Sequence, residues 1–230
     1  MSDATARAPF QFIGCVELRQ ALDHRATDER ELLERLEDAP AGSVFYHTHG
    51  YFLRHRPITT AYGNDFAAWV AVHVRDQVLA ERLAVINPFE SATLEDLREE
   101  LVSVIHDHLL RLPSVPRVEF GEPFHFQQSH IVEVPLGAAV STLAEFRAGL
   151  AEVDASAIYF HMVEARTRLG RRSGDFAEWL RTSLDMPELA DRIERIDAYM
   201  TSLERVRARV LSLVDAAIEG AEGGVGDGPA

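Results

Sequence analysis

"FHFQQSHIVEVP", Phe124–Pro135, alternates polar residues with aromatic and β-branched ones, the period-two pattern of a strand with one buried face. Shifting the chain by 114 positions lays Phe124-His125-Phe126 over Phe10-Gln11-Phe12. Phe124–Val134 and Phe10–Leu18 are therefore expected as two matching extended segments, joined in a short sheet. The same shift aligns Glu31 with Glu145, Leu36 with Leu150, His47 with His161 and Arg54 with Arg168. After a four-residue deletion "NDFAAW", Asn64–Trp69, meets "GDFAEW", Gly174–Trp179, and Leu79–Leu83 meets Leu189–Ile193. One more deletion brings "LEDLR", Leu94–Arg98, onto "LERVR", Leu203–Arg207.

Collinear blocks of this kind imply an internal duplication. Units of about 100 residues are too long for solenoid repeats, so two units facing each other across a pseudo-two-fold axis are expected. The expected organisation is a disordered N-terminus (1–9), a helical unit (10–111), a Pro- and Gly-containing linker (112–123), a second helical unit (124–218) and a flexible Gly-rich tail (219–230). The fold class expected is mainly α: two tandem, pseudo-symmetric helical repeats with the short β element joining their N-terminal segments.

Helical spacing supports that class. Thr93 precedes Leu94, Leu97, Leu101, Val104 and Ile105, with Asp96 placed to complete a capping box. A counterpart starts near Ser202 and carries Leu203, Val206, Val210, Leu213 and Ala217. Shorter helices are expected over 27–37, 44–56, 66–74 and 79–85, and over 142–152, 158–169, 176–184 and 189–196.

Composition narrows the chemistry. A net charge of −14 disfavours nucleic-acid binding, which relies on a basic face. All 23 basic residues are arginine; without lysine there is neither a Walker-type phosphate loop nor Schiff-base catalysis. The single cysteine, Cys15, excludes an internal disulfide and points to a reducing, cytoplasmic setting. No apolar run approaches the ~20 residues of a spanning helix, and no secretory signal pattern opens the chain.

"SVFYHTHGYFLRHR", Ser43–Arg56, holds three histidines in fourteen residues. Helical ligands share a face at i, i+3 or i+4, which His47 and His49 do not satisfy. The aligned stretch "AIYFHMVEARTRLG", Ala157–Gly170, puts Val163 in place of His49 and Leu169 in place of His55. Only the His47/His161 and Arg54/Arg168 pairs persist, so no metal or cofactor is expected. His106 and His108 fail the same spacing test.

Asn64, Asp65, Phe66 and Trp69, with Asp175, Phe176 and Trp179, read as a structural motif: aspartate as helix N-cap and tryptophan as core anchor. His47, Arg54, Arg98, His161, Arg166, Arg168, Arg172 and Arg207 are the candidate ligand-binding residues, suited to an anion beside helix N-termini. No catalytic residues are assigned.

The elements "YH…R…NDFAAW…LAERL…LEDLR" resemble those of a family of uncharacterised prokaryotic proteins known only as a domain of unknown function. The likeness spans nearly the whole chain apart from the tails. It brings no catalytic residue; its association with sugar-nucleotide and glycosyltransferase genes implies a carbohydrate-linked regulatory role. Gly174 departs from the family's asparagine.

The function expected is a non-catalytic binding or protein-interaction module. The alternatives are a sensor or enzyme for a small anion such as a sugar phosphate, using a His/Arg pocket, and a metalloprotein using His47, His49 and His55. Expected partners are a protein or a small anionic molecule, not nucleic acid or membrane.

Overall fold

The computed structural model describes residues 5–54, 62–113, 121–166, 173–198 and 201–223. Strands β1 (Phe10–Ala26) and β2 (Phe124–Val140), 17 residues each, pair in a two-stranded antiparallel sheet. Both run well past the ends expected at Leu18 and Val134. Arg19–Ala26 of β1 is rich in helix formers, yet the backbone ladder to β2 overrides their local preference. β2 accommodates Pro135 because each strand of a two-stranded sheet keeps a free edge. Gly137 takes the left-handed φ of 63° that a side chain would strain. Gln11 Nε2 donates to the Leu136 carbonyl there, at 2.9 Å.

The chain divides into two compact units, one of Glu17–Val132 and one combining Met1–Val16 with Glu133–Ala230. The expectation of a mainly α protein made of two tandem helical repeats is therefore corrected: the fold is mixed α/β. The physical reason lies in the phenylalanines that open each strand. Phe10 and Phe12 pack on Phe146, Phe176 and His161, far along the sequence, while Phe124 and Phe126 pack on His47 and Phe66. Each strand is thus a core layer rather than a connector.

In the 17–132 unit, helices Glu29–Asp38, Ala41–His47, His49–Arg54, Gln77–Ala84 and Leu94–Leu109 accompany a helix at Asp65–Trp69 that continues as a π-helical turn, Val70–Val74. Thr93 and Asp96 form the expected capping box. Leu32, Leu36, Leu79, Leu83, Leu97 and Leu101 are fully buried, the apolar stripes of three helices meeting in one core. The helix expected over 44–56 is interrupted at Thr48, whose Oγ1 donates back to the Val44 carbonyl at 2.6 Å.

The other unit contains helices Leu143–Glu152, Ala155–Tyr159 with a π-helical turn Phe160–Glu164, Asp175–Thr182, Pro187–Glu194 and Leu203–Gly223. Thr142 and Glu145 form a capping box. Phe12 stacks on Phe146 and Phe146 on Trp179, with ring centroids 5.4 and 5.2 Å apart. No described helix is long and apolar enough to cross a membrane.

The aspartates of the shared motif are not N-caps. Asn64 caps the helix at Asp65, its Oδ1 accepting from Ala67 N–H while its Nδ2 donates to the Leu83 carbonyl. Gly174 stands at the equivalent position without a side-chain cap. A Cβ there would lie 2.7 Å from the His161 carbonyl oxygen, so the backbone approach requires glycine. With Asn64 and Gly174 at the cap positions, Asp65 and Asp175 are left to bond histidine.

Candidate functional site

His47 ends the helix Ala41–His47 and is buried. Its Nδ1 lies 2.8 Å from Asp65 Oδ2, and its Nε2 accepts the Gln127 N–H of β2 at 3.0 Å. Since a backbone N–H can only donate, Nε2 carries the lone pair and Nδ1 the proton given to Asp65. Burial holds the imidazole below its ordinary pKa, and Arg54 adds to that, while Asp65 opposes it. The ring is thus a neutral clamp between a helix start and a strand.

Arg54 completes this network. It donates to Asp65 Oδ2 and to the Tyr46 carbonyl, lies 3.8 Å above the Tyr46 ring centre and 3.5 Å from the buried Glu17 of β1. Gly50 makes the approach possible: a Cβ there would meet Arg54 Nη1 at 2.9 Å and Glu17 Oε1 at 3.0 Å. A cleft of about 640 Å³ opens beside the network. Tyr46, Trp69 and Asp65 line it, together with the cationic or protonatable Arg19, His73 and His125. Trp69 Nε1 is held by the Glu122 carbonyl and His73 Nδ1 accepts the Glu122 N–H, which fixes both side chains at the wall.

The other unit repeats the clamp bond for bond. His161 Nδ1 lies 2.8 Å from Asp175 Oδ2, its Nε2 accepts the Ile13 N–H of β1 at 2.9 Å, and Trp179 Nε1 donates to the Ala8 carbonyl.

The remaining candidates are dispersed. Arg98 donates to the Glu37 carbonyl and Arg207 to the Ala151 carbonyl, each at the C-terminal end of a helix where a cation meets the negative end of the dipole. Arg166 donates to the Glu194 carbonyl; burial lowers its pKa against the pull of Glu194 and Asp197. Arg168, Arg172 and His55 lie outside the described residues. His49 stacks on Phe45 with centroids 5.2 Å apart and lies edge-on to Phe89. Its burial pushes its pKa down to about 4, although a bond to the Pro88 backbone opposes this. Of the described candidates, then, only His47 and Arg54 meet at the cleft. Glu17 and Arg19, which the sequence reading passed over, carry one signal: an acid and a base breaking the apolar run "FIGCVEL" of Phe12–Leu18 and its continuation.

A family model described as "Family of unknown function (DUF5752)" matches residues 7–215. Among solved structures the chain is similar to OrfY from Thermoproteus tenax, with 29% identity and a TM-score of 0.78 over 94% of this chain and 98% of that one. No curated protein matches.

Proposed function

The chain belongs to DUF5752, a family of unknown function, and from that premise we propose that it is a non-catalytic binding module. One observation carries the reading: His47 and His161 have both ring nitrogens engaged, one on an aspartate and one on a strand N–H. Neither ring has a lone pair left for proton transfer or for holding a ligand.

A second reading, a small anionic molecule such as a sugar phosphate as the partner, rests on the cleft of the 17–132 unit. Its volume of about 640 Å³ suits a metabolite. Arg19, His73 and His125 gather there in a chain whose net charge is −14.

Native mass spectrometry of untagged protein from its own host tests both. A noncovalent increment, either a whole protein subunit or a small molecule, is expected. A small-molecule increment lost in the variant Arg19→Ala, His125→Ala supports the anion reading, and one that survives it refutes that reading. A bare chain mass, or a covalent adduct on a side chain, overturns the binding-module proposal.

A further inference from the structure

Away from the cleft, the 17–132 unit contains a polar cluster with no equivalent among the described residues of the other unit. Glu29 is the first residue of the helix Glu29–Asp38, Asp76 caps Gln77–Ala84, and His108 lies near the end of Leu94–Leu109. One ligand atom from each lies within 4.8 Å of the others. His108 Nε2 is 2.8 Å from Asp76 Oδ2. Glu29 is fully buried, and neither of its carboxylate oxygens has a hydrogen-bond partner.

That last point requires explanation. A buried carboxylate without a donor is destabilising, and more so when charged. Here it also faces a second carboxylate. Burial and the Asp76 and Asp28 carboxylates push the Glu29 carboxyl up to about 7. Hydrogen bonding inside the protein does not resolve the conflict.

The other unit shows how the fold is completed without it. Leu143 begins the helix Leu143–Glu152 as Glu29 begins its own, and Met186 takes the N-cap place of Asp76 ahead of Pro187–Glu194. Ala217 lies as far into Leu203–Gly223 as His108 lies into its helix. All three polar groups are exchanged for apolar ones together, as expected of parts that act as a set.

We propose that Glu29, Asp76 and His108 bind a divalent transition-metal ion of the zinc class. One imidazole nitrogen and two carboxylate oxygens are the donors such ions take, whereas Mg²⁺ and Ca²⁺ favour oxygen alone. The ion takes the place of the hydrogen shared by His108 and Asp76, gives Glu29 its missing partner and balances two negative charges with two positive ones. Bound at about 2.0–2.2 Å from each atom, it sets the ligand atoms a little over 3 Å apart, easing His108 and Asp76 away from each other and drawing Glu29 in. The site lies on three helices of one core, so the ion staples them. The spacing rule that set His108 aside considers only neighbours on its own helix, and its partners come from two others.

The test uses the full, untagged chain, stripped with a chelator and dialysed against Zn²⁺. Elemental analysis is expected to find one ion per chain, and the apparent Tm to rise with free Zn²⁺. Glu29→Gln, which keeps the shape, is expected to weaken binding by about tenfold or more. The triple variant Glu29→Leu, Asp76→Met, His108→Ala copies the apolar set and, folded by circular dichroism, is expected to hold none. His106→Ala, on the same helix, is expected to keep the ion. A wild-type chain that retains only a small fraction of an ion overturns the proposal. Zn²⁺ affinity unchanged in Glu29→Gln, or lost with His106 alone, also overturns it.

Discussion

The two units solve one problem identically and another in opposite ways. Each clamps a strand to a helix start with a histidine, an aspartate and a tryptophan. Around that clamp they diverge. The 17–132 unit buries Glu17, Glu29, His49 and His108, where the positions matched to the last three in its counterpart carry Leu143, Val163 and Ala217. A framework alone needs only what both share. Buried polar groups cost stability unless satisfied, so their concentration in one unit supports the proposal that a ligand is bound there.

Removing the shared part should break both units alike. Phe12→Ala and Phe126→Ala each delete a fully buried ring against its histidine clamp, and each should cost about 3–5 kcal/mol in urea denaturation. Losses that differ by more than about 2 kcal/mol would mean the two clamps are alike in geometry but not in load.

Acid should then separate the units. His49, held neutral with its pKa down at about 4, takes up its proton in the unfolded chain near pH 6.5 but resists it when folded. Its contribution is complete above pH 6.5 and is lost as pH falls toward 4, by roughly 3 kcal/mol at 1.36 kcal/mol per pKa unit. Denaturation of wild type and His49→Phe across that range checks this: the variant should gain stability relative to wild type as pH falls. The matched residue of the other unit, Val163, does not titrate, so this contribution belongs to the 17–132 unit.

The smallest effect should be nearly symmetrical. Arg98→Ala and Arg207→Ala each free the last carbonyls of a helix, and each should lower stability by about 0.5–1 kcal/mol with a stronger loss at low salt. Thermal melts at two ionic strengths measure it.

These contrasts also explain what was legible in the sequence. The positions of the clamps were, because "NDFAAW" and "GDFAEW" repeat around fixed histidines. Their roles were inverted: aspartate at a helix start looks like a cap, and only the structure shows Asn64 capping in its place and Gly174 filling the same position under the His161 carbonyl. Strand length was hidden because Arg19–Ala26 has the composition of a helix and is held extended by its partner strand. The Glu29, Asp76 and His108 cluster was invisible to spacing, since residues 47 and 32 positions apart have no local pattern to share. The same blindness applies to Glu17 and Arg54.

The crossing of the strands sets an order of events during synthesis. Phe10 and Phe12 leave the ribosome before any of the described helices, yet the core they enter is built from residues after Glu133. The helices up to Leu109 must in turn await Phe124 and Phe126. The 17–132 core can close once its own stretch has emerged, but the other core cannot, so the segment of Phe10 and Phe12 stays unpacked until the helices after Glu133 have been made. Such long-range closure slows folding and gives a chaperone that holds exposed phenylalanines its longest opportunity at Phe10 and Phe12.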